Sequence, residues 1–155
     1  MTPRFLKFVN GFVLEWECNW PRQTDGDPSD DPNDPGGYTK WGIDTTSHPG
    51  VDVRNLSHGG ALDIYLKEWT AEGIEDMPDR VGEAFFDAAV NCGTRRARQF
   101  MNASNDVGGQ ITARENFYNR LVRARPQFRE DLRGWLDRTS YGDDERPSLR
   151  HFLLV

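Results

Sequence analysis

The amino-acid sequence predicts a mainly α-helical domain with one small β element near its N-terminus. Apolar residues recur with helical spacing up to residue 18 and again from residue 61 onwards. A stretch rich in Asp, Pro and Gly separates these two regions and ends in a short aromatic and β-branched segment. At 155 residues, of which 36% are hydrophobic, we expect one domain over residues 1–155 with a core of its own.

The first helix is predicted to begin at Thr2-Pro3, because a hydroxyl residue caps a helix well and proline is favoured at the first helical position. We expect it to end between Cys18 and Pro21. Its core-facing residues follow the i, i+3, i+4, i+7 spacing and are Phe5, Phe8, Val9, Phe12, Val13 and Trp16.

A loop and a small hairpin are predicted next. Residues 21–37 contain five Asp, four Pro and three Gly, a composition that excludes a helix or a long strand. The segment GYTKWGI, from Gly37 to Ile43, suits a small strand or hairpin.

Five more helices are predicted from residue 61 onwards. The third of them is the segment TRRARQFMNAS, and Pro126 closes the fourth. The apolar positions that mark the others are, in order, Leu62, Tyr65, Leu66 and Trp69; Val81, Phe85, Ala88, Ala89 and Cys92; Ile111, Tyr118, Leu121 and Val122; and Phe128, Leu132, Trp135 and Leu136.

Charge is distributed unevenly along the chain. Residues 1–93 hold 7 Lys/Arg against 17 Asp/Glu, a net charge of −10, whereas residues 94–138 hold 10 against 5, a net charge of +5. These arginines either bind an anionic polymer or form the solvent-exposed faces of the helices that carry them. The acidic first part argues against nucleic acid as a partner.

The sequence also bears on location and on the state of the cysteines. It contains no apolar run of the roughly 18 residues that a membrane span needs, and no signal peptide, so we expect cytoplasmic synthesis and no membrane insertion. Cys18 and Cys92 are expected to be free thiols, with a bridge between them as the alternative.

Two glutamates near the end of the first helix are candidates for acid catalysis. The carbonyl end of a helix and apolar neighbours both favour a protonated carboxylic acid. Glu17 lies in the last turn, near Val13, Trp16 and Trp20. On a regular helical wheel Glu15 lies as far from the apolar stripe as Glu17 does, so the spacing leaves both open, along with a purely solvent-exposed role.

Three ordered blocks of sequence resemble the glycoside hydrolase family 108 muramidases. They are LEWECNW followed by DPNDPGGYTKWGID, then FDAAVNCG, and finally RENFYNRLVRARPQFREDLRGWLDR. The third resembles the family's peptidoglycan-associated segment, within residues 94–138. The chain departs from the family pattern at the Gly-Gly-Tyr after the glutamate, where Cys18, Asn19 and Trp20 stand, and in a loop about eight residues longer.

The resemblance implies a lysozyme-like fold and a phage endolysin that hydrolyses the β-1,4 bond between N-acetylmuramic acid and N-acetylglucosamine. It places the catalytic glutamate on Glu17 and matches Asp31 and Asp34 to the two Asp-Pro steps. Asp34 and Thr39 are expected to be further catalytic residues. We prefer an inverting reaction in which Thr39 holds the attacking water. A lytic transglycosylase and a non-catalytic peptidoglycan-binding phage protein are the alternatives.

Three residues are candidates for substrate binding: Tyr38, Trp41 and Asn91. Trp41 either stacks on a sugar ring or belongs to the core. Asn91 either contacts an N-acetyl group or satisfies the end of its helix. The expected partners are peptidoglycan glycan strands and, indirectly, a phage holin that gives a monomeric enzyme access to the cell wall.

No metal and no cofactor is expected. The acidic run DGDPSDDPND lacks the regular ligand spacing of a calcium loop. The three His residues show no His-Glu-x-x-His arrangement, and no Gly-x-Ser-x-Gly motif marks a serine nucleophile. These absences weigh against a zinc amidase and against nucleophilic hydrolysis.

Overall fold

The computed structural model describes residues 1–31, 36–142 and 146–155. The chain forms two compact units, Met1–Glu72 and Gly73–Val155. The fold is mainly α-helical with one small antiparallel hairpin, which confirms the predicted fold class. That the chain acts as a single domain stays a prediction. None of the helices in the described ranges is both long and apolar enough to span a membrane.

The first unit begins with one helical stretch made of α1, a π-helical turn and α2: Pro3–Phe8, Val9–Val13 and Leu14–Cys18. Thr2 caps it, since its Oγ1 accepts a hydrogen bond from the Phe5 amide at 3.2 Å. Both predicted ends are confirmed.

The predicted core-facing stripe is fully buried in the first part of this helix and only partly buried at Trp16, whose ring packs on Phe12. The five residues before the end of the π-helical turn are buried: Phe5, Phe8, Val9, Phe12 and Val13. After that turn, Leu14 and Cys18 are buried and Trp16 is only partly so. A π-helical turn inserts an extra residue, and this rotates every later side chain relative to a regular helix.

The hairpin consists of β1, Thr39–Lys40, and β2, Ile43–Asp44, which pair antiparallel with Thr39 opposite Asp44. Ser29 forms a further antiparallel bridge with Thr39, so the loop before the hairpin runs beside its first strand. The hairpin predicted within residues 37–43 is confirmed.

Helix α3, His58–Ala71, completes the first unit after a 3-10 turn, Val53–Asn55. Its Trp69 packs edge-on against Phe5, with 5.5 Å between the ring centroids. This contact joins α3 to the core-facing side of α1.

The second unit contains the other four predicted helices and one that was not predicted. A 3-10 turn, Ile74–Asp76, precedes α4, and the helices are α4 Val81–Cys92, α5 Thr94–Ala103, α6 Val107–Ala124, α7 Asp131–Leu136 and α8 Leu149–Leu154. A 3-10 turn, Pro126–Arg129, leads into α7, and a π-helical turn, Asp137–Tyr141, follows it. The six-residue α8 was missed because it is too short to show a periodic pattern.

A buried ionic cluster lies inside the second unit. Asp87 of α4 is fully buried between two buried arginines. Its Oδ2 lies 2.6 Å from Arg114 Nη1, and its Oδ1 lies 2.6 Å from Arg138 Nη2. Burial works to raise the pKa of Asp87, but the two arginines outweigh it and lower that pKa below the ordinary value. The cluster ties α4 to α6 and to the turn after α7.

Candidate active site

Glu17 lies at the C-terminal end of α2, where the chain turns sharply. Asn19 adopts a left-handed conformation with φ 56°, and its amide donates to the Glu15 carbonyl at 3.2 Å. The Trp20 amide reaches back to the Leu14 carbonyl at 3.3 Å. The bond from the left-handed Asn19 to Glu15 is that of an αL-type helix end, and together the two bonds hold the last helical turn in place. Glu17 itself is partly buried.

Glu15 is occupied by a different interaction. Its Oε1 accepts a hydrogen bond from Arg22 Nη2 at 3.3 Å, and only 15% of the Glu15 side chain is exposed. The ion pair engages the carboxylate of Glu15, one of the two glutamates that the regular helical wheel left open as the acid.

The turn of the hairpin packs against Glu17. Both central residues have positive φ, 59° at Trp41 and 74° at Gly42, as in the type I′ turns of two-residue hairpins. A Cβ on Gly42 would lie 2.8 Å from Glu17 Cβ and 2.6 Å from Tyr65 Oη. Only glycine fits, and its contact puts the hairpin directly on the stem of Glu17.

Trp41 belongs to the interior of the first unit. It is 2% exposed, its indole nitrogen donates to the Leu56 carbonyl at 3.0 Å, and its amide donates to the Gly26 carbonyl at 2.7 Å. A ring that stacks on a sugar needs an open face. The sequence left two roles open for Trp41, sugar stacking and the core, and its burial favours the core.

An aromatic cluster holds the chain where it leaves α2. Trp20 is stacked on His58 with 4.2 Å between ring centroids, and His58 Nε2 lies 2.8 Å from Asn10 Oδ1. Burial lowers the pKa of His58, so its ring is neutral at pH 7. The cluster fixes the helix end that carries Glu17 by stacking and a hydrogen bond.

Thr39 and Asp44 face the same side of the hairpin, because directly paired residues of an antiparallel ladder do so. Thr39 is partly buried, and its Oγ1 donates to the Gly37 carbonyl at 3.4 Å. Asp44 accepts a hydrogen bond from the Ser47 amide at 2.7 Å. Partial burial opposes ionisation, yet the hydrogen bonds from Ser47 lower the pKa of Asp44. Asp44 was not predicted from the sequence as a site residue.

Tyr38, just before β1, has one face of its ring covered. The guanidinium carbon of Arg54 lies 4.1 Å from the ring centroid. Arg54 also pairs with Asp30 at 2.9 Å. The ring face that Arg54 covers is thus closed to a substrate.

The acidic loop brings Asp27 near the end of α2. Asn19 Nδ2 donates to Asp27 Oδ2 at 3.4 Å, and Asp27 holds a positive φ of 48°. Both Glu17 and Asp27 act on the neighbouring Cys18 electrostatically. Asp34, which the sequence analysis made catalytic, lies outside the described residues.

Asn91 lies in the second unit, in the last turn of α4. Its Oδ1 accepts hydrogen bonds from Tyr118 Oη at 2.7 Å and from Arg114 Nη2 at 3.1 Å, so its amide nitrogen lies on the other side from these donors. Asn91 lines a cavity of about 470 Å³ whose aromatic walls include Tyr118 and Trp135. Their rings stack with centroids 5.0 Å apart.

Sequence reasoning missed the residues that surround Glu17. Tyr65 showed only as a member of an apolar stripe, and Asp27 only as one acid in a loop. Gly42 alone carried a local signal, since a glycine between two short β-branched or aromatic segments is typical of a tight turn. Within the described parts of the chain, no group of three or more His, Cys, Asp or Glu lies together as a metal site.

Comparison with known proteins identifies the family. The family model described as Glycosyl hydrolase 108 matches residues 12–93, which include Glu17, the hairpin and α4. No curated protein and no solved structure matches the chain significantly. The match contains the first two of the three resembling blocks and ends before the third. The chain therefore belongs to glycosyl hydrolase family 108, and this membership implies a glycosidase that hydrolyses peptidoglycan.

Proposed function

We propose that this glycosidase is a phage-type endolysin that hydrolyses the β-1,4 bond between N-acetylmuramic acid and N-acetylglucosamine, with Glu17 as general acid. The environment of Glu17 carries the proposal. The side chain stands at a fixed helix end with the glycine of the hairpin turn against its stem. The competing Glu15 is paired with Arg22.

Such an acid protonates the oxygen of the leaving sugar while a second group stabilises the oxocarbenium-like transition state or aims a water. Asp34 and Thr39 are the proposed second groups, with Thr39 holding water in an inverting reaction. Thr39 and Asp44 share one side of the hairpin, which supports a polar surface for water there.

Asp27 is a further candidate for the second carboxylate. Its hydrogen bond with Asn19 holds it beside the end of the helix that carries Glu17. Its backbone conformation is one that non-glycine residues adopt rarely, and such conformations cluster at functional sites. Asp30, by contrast, is paired with Arg54.

The remaining interactions with substrate are proposed as follows. Tyr38 offers the ring face that Arg54 does not cover to a sugar, and Asn91 offers its amide nitrogen to the carbonyl oxygen of an N-acetyl group. The aromatic walls beside Asn91 suit the methyl group of that same substituent. Trp41 is left out of this set because it is buried.

We further propose that the enzyme is made in the host cytoplasm, acts as a monomer and reaches the cell wall after a phage holin opens the membrane. Expression without a holin should then leave cells intact, and purified enzyme should clear only permeabilised Gram-negative cells. Lysis on expression alone contradicts this route.

The test of bond and residue uses purified sacculi and four variants. Wild-type digests, reduced with borohydride and analysed by mass spectrometry, should gain reducing termini at N-acetylmuramic acid and no new amino groups. Glu17→Gln should abolish these products, while the matched Glu15→Gln should retain them. Asp27→Asn should lower turnover by about 10²-fold if its charge acts in the transition state, and Asp30→Asn should not.

The outcomes separate the alternatives. 1,6-Anhydro products identify a lytic transglycosylase, and released stem peptides exclude a glycosidase. Full activity in Glu17→Gln with loss in Glu15→Gln reverses the assignment of the acid. Binding to sacculi without any products supports the non-catalytic peptidoglycan-binding protein. Proton NMR of the first-formed sugar anomer distinguishes inversion from retention.

A further inference from the structure

Three oxygen-bearing side chains lie in a row across the hairpin and the loop beside it. Ser29 and Thr39 are joined by two backbone hydrogen bonds of 2.9 Å, one in each direction, and Thr39 lies directly opposite Asp44 in the hairpin. Directly opposed residues of antiparallel strands place their side chains on the same face. The side chains of Ser29, Thr39 and Asp44 therefore share one face, with Thr39 in the middle.

Thr39 and Asp44 form the type of pair whose side chains approach most closely. The Thr45 amide donates to the Tyr38 carbonyl at 3.0 Å, so the hydrogen-bonded pair of the ladder is this neighbouring one. Hydrogen-bonded and non-hydrogen-bonded pairs alternate along an antiparallel ladder, and the latter bring the side chains nearer. The two Cβ atoms of such a pair lie about 4.5 to 5.5 Å apart. One water molecule is thus within reach of both the Thr39 hydroxyl and the Asp44 carboxylate.

This pair faces away from the core of the first unit. Successive side chains of a strand point to opposite faces. Ile43, which precedes Asp44, is 1% exposed, whereas Thr39 and Asp44 are both partly exposed. The face that carries the pair is therefore the one that an attacking water can reach.

The carboxylate of Asp44 is held in place. Its Oδ1 accepts a hydrogen bond from the Ser47 amide at 2.7 Å. Burial works to raise the pKa of Asp44, but hydrogen bonds from Ser47 and Thr46 lower it below its ordinary value. A carboxylate offers about four sites to hydrogen-bond donors. Asp44 is therefore an ionised acceptor in a fixed orientation with capacity for a further donor.

The hairpin turn brings this pair near Glu17. A Cβ on Gly42 would lie 2.8 Å from Glu17 Cβ, and Asp44 follows Gly42 by two residues. Since consecutive Cα atoms are about 3.8 Å apart, the Asp44 Cα lies within roughly 12 Å of Glu17 Cβ. Inverting glycosidases hold their two carboxyl groups about 6.5 to 9.5 Å apart, with the attacking water between them. The side chains of Glu17 and Asp44 can span such a separation.

We propose that Asp44 is the general base of the reaction, which orients the attacking water together with Thr39 and takes its proton. The water donates a hydrogen to the Asp44 carboxylate while the Thr39 hydroxyl holds it from the neighbouring strand. A lone pair of the water oxygen is then left to attack the anomeric carbon. The inference deepens the proposed function and rests on Glu17 being the general acid.

Bonds and protons balance in this scheme. The water oxygen forms a bond to the anomeric carbon while the bond from that carbon to the leaving oxygen breaks. Glu17 gives its proton to the leaving oxygen, and Asp44 receives the proton that the water loses. Positive charge on the oxocarbenium-like carbon makes the bound water strongly acidic, so a carboxylate of low pKa suffices as the base. This role is separate from that of Asp27, whose charge is proposed to stabilise the transition state.

The first test is Asp44→Asn, measured as turnover of soluble uncross-linked glycan strands together with the melting temperature. Asparagine keeps an oxygen for the Ser47 amide, because Asn and Asp form the same local turn, but its amide cannot serve as the base. We expect kcat to fall by about 10²-fold or more, with KM and the melting temperature little changed. A wild-type kcat in Asp44→Asn overturns the inference.

The matched control is Asp52→Asn in the same unit. Asp52 also accepts a hydrogen bond from a backbone amide three residues later, that of Asn55 at 3.3 Å, but it lies outside the hairpin. The same exchange there should leave kcat unchanged. An equal loss of kcat in Asp52→Asn contradicts the proposed role, because the loss then comes from the turn chemistry that both residues share.

Chemical rescue separates a base from a residue that only shapes its loop. Asp44→Ala removes the carboxylate, and azide is a nucleophile that needs no base. Azide should raise the turnover of this variant by about 10-fold or more and yield a glycosyl azide of inverted anomeric configuration, detected by mass spectrometry and proton NMR. Its nitrogen bonds to the anomeric carbon, and Glu17 still protonates the leaving oxygen. A folded Asp44→Ala variant that azide does not reactivate rules out the base.

Two further outcomes separate this inference from the proposed function. If Glu17→Gln is inactive and Asp44→Asn keeps the wild-type kcat, only the role of Asp44 is wrong. If Glu17→Gln remains active, or wild-type digests contain 1,6-anhydro sugars formed without attack by water, the role of Asp44 falls with the proposed function.

Discussion

Removing the charge of Asp87 should destabilise the second unit strongly. Asp87→Asn keeps the shape of the side chain but leaves Arg114 and Arg138 without their shared carboxylate. Both arginines are almost fully buried, at 1% and 5% exposure. In the wild type both oxygens of the Asp87 carboxylate accept hydrogen bonds from these arginines. In asparagine an NH2 group replaces one of these oxygens, and it cannot accept a hydrogen bond from a guanidinium group.

The size of the effect follows from this burial. Breaking a buried ion pair by removing one partner costs about 3 to 5 kcal/mol, because the remaining charge stays desolvated. At roughly 2 to 4 °C per kcal/mol for a protein of this size, the melting temperature should fall by about 6 to 20 °C. Such a loss is a large part of the roughly 5 to 15 kcal/mol that stabilises a typical protein.

Thermal unfolding followed by circular dichroism measures this effect, with Arg133→Gln as the control. Arg133 pairs with Asp137 but is 92% exposed, so its loss should hardly change the melting temperature. Arg138→Met should lower the melting temperature of the Asp87→Asn variant by less than it lowers that of the wild type. In the variant it removes one of the two cations that Asp87→Asn leaves unpaired. A fall below about 2 °C in Asp87→Asn refutes the reasoning.

The difference between wild type and Asp87→Asn should also depend on pH. The pKa of Asp87 is below 3.8 in the folded protein, so the unfolded chain binds this proton first as the pH falls. The contribution of Asp87 is therefore fully present well above pH 3.8 and is lost progressively below it. The two melting temperatures should converge only in that acidic range.

Two other predictions concern the first unit and the cysteines. Gly42→Ala should lower activity by more than 10-fold because its Cβ would collide with Glu17 and Tyr65, whereas Gly50→Ala, with a positive φ of 89° but open space around it, should cost only a little stability. Equal activity in both variants contradicts the clash. Both cysteines are free, and burial raises the pKa of Cys18 to about 12, so iodoacetamide at pH 8 should label Cys92 and spare Cys18 until the protein is unfolded. Mass spectrometry that finds Cys18 alkylated in the folded protein refutes its protection.

Much of the fold was predictable because its signals are local. Thr2-Pro3 marks a helix start by cap chemistry, and the left-handed residue that ends α2 follows directly on the last apolar turn. The hairpin follows from a turn glycine between short strand-forming segments. Short elements such as α8 carry too few residues for a period to be recognised.

For the candidate site, the sequence predicted only the identity of a few residues and not how they are arranged. A helical wheel assumes 3.6 residues per turn, and the π-helical turn at Val9–Val13 breaks that assumption before Glu15 and Glu17 are reached. The partner that distinguishes them, Arg22, lies beyond the helix end. Nothing in the local sequence predicts that pairing.

Residues close together in the chain, or an ordered motif, were enough to predict the helical class, the position of the hairpin and the family. The folded chain was needed to show that Trp41 is buried, that the single carboxylate of Asp87 pairs with two arginines, and that Tyr65 and Glu17 both approach Gly42. The partners in these contacts are separated by 15 to 51 residues along the chain. Such contacts depend on packing between elements, which local propensity and periodicity do not encode.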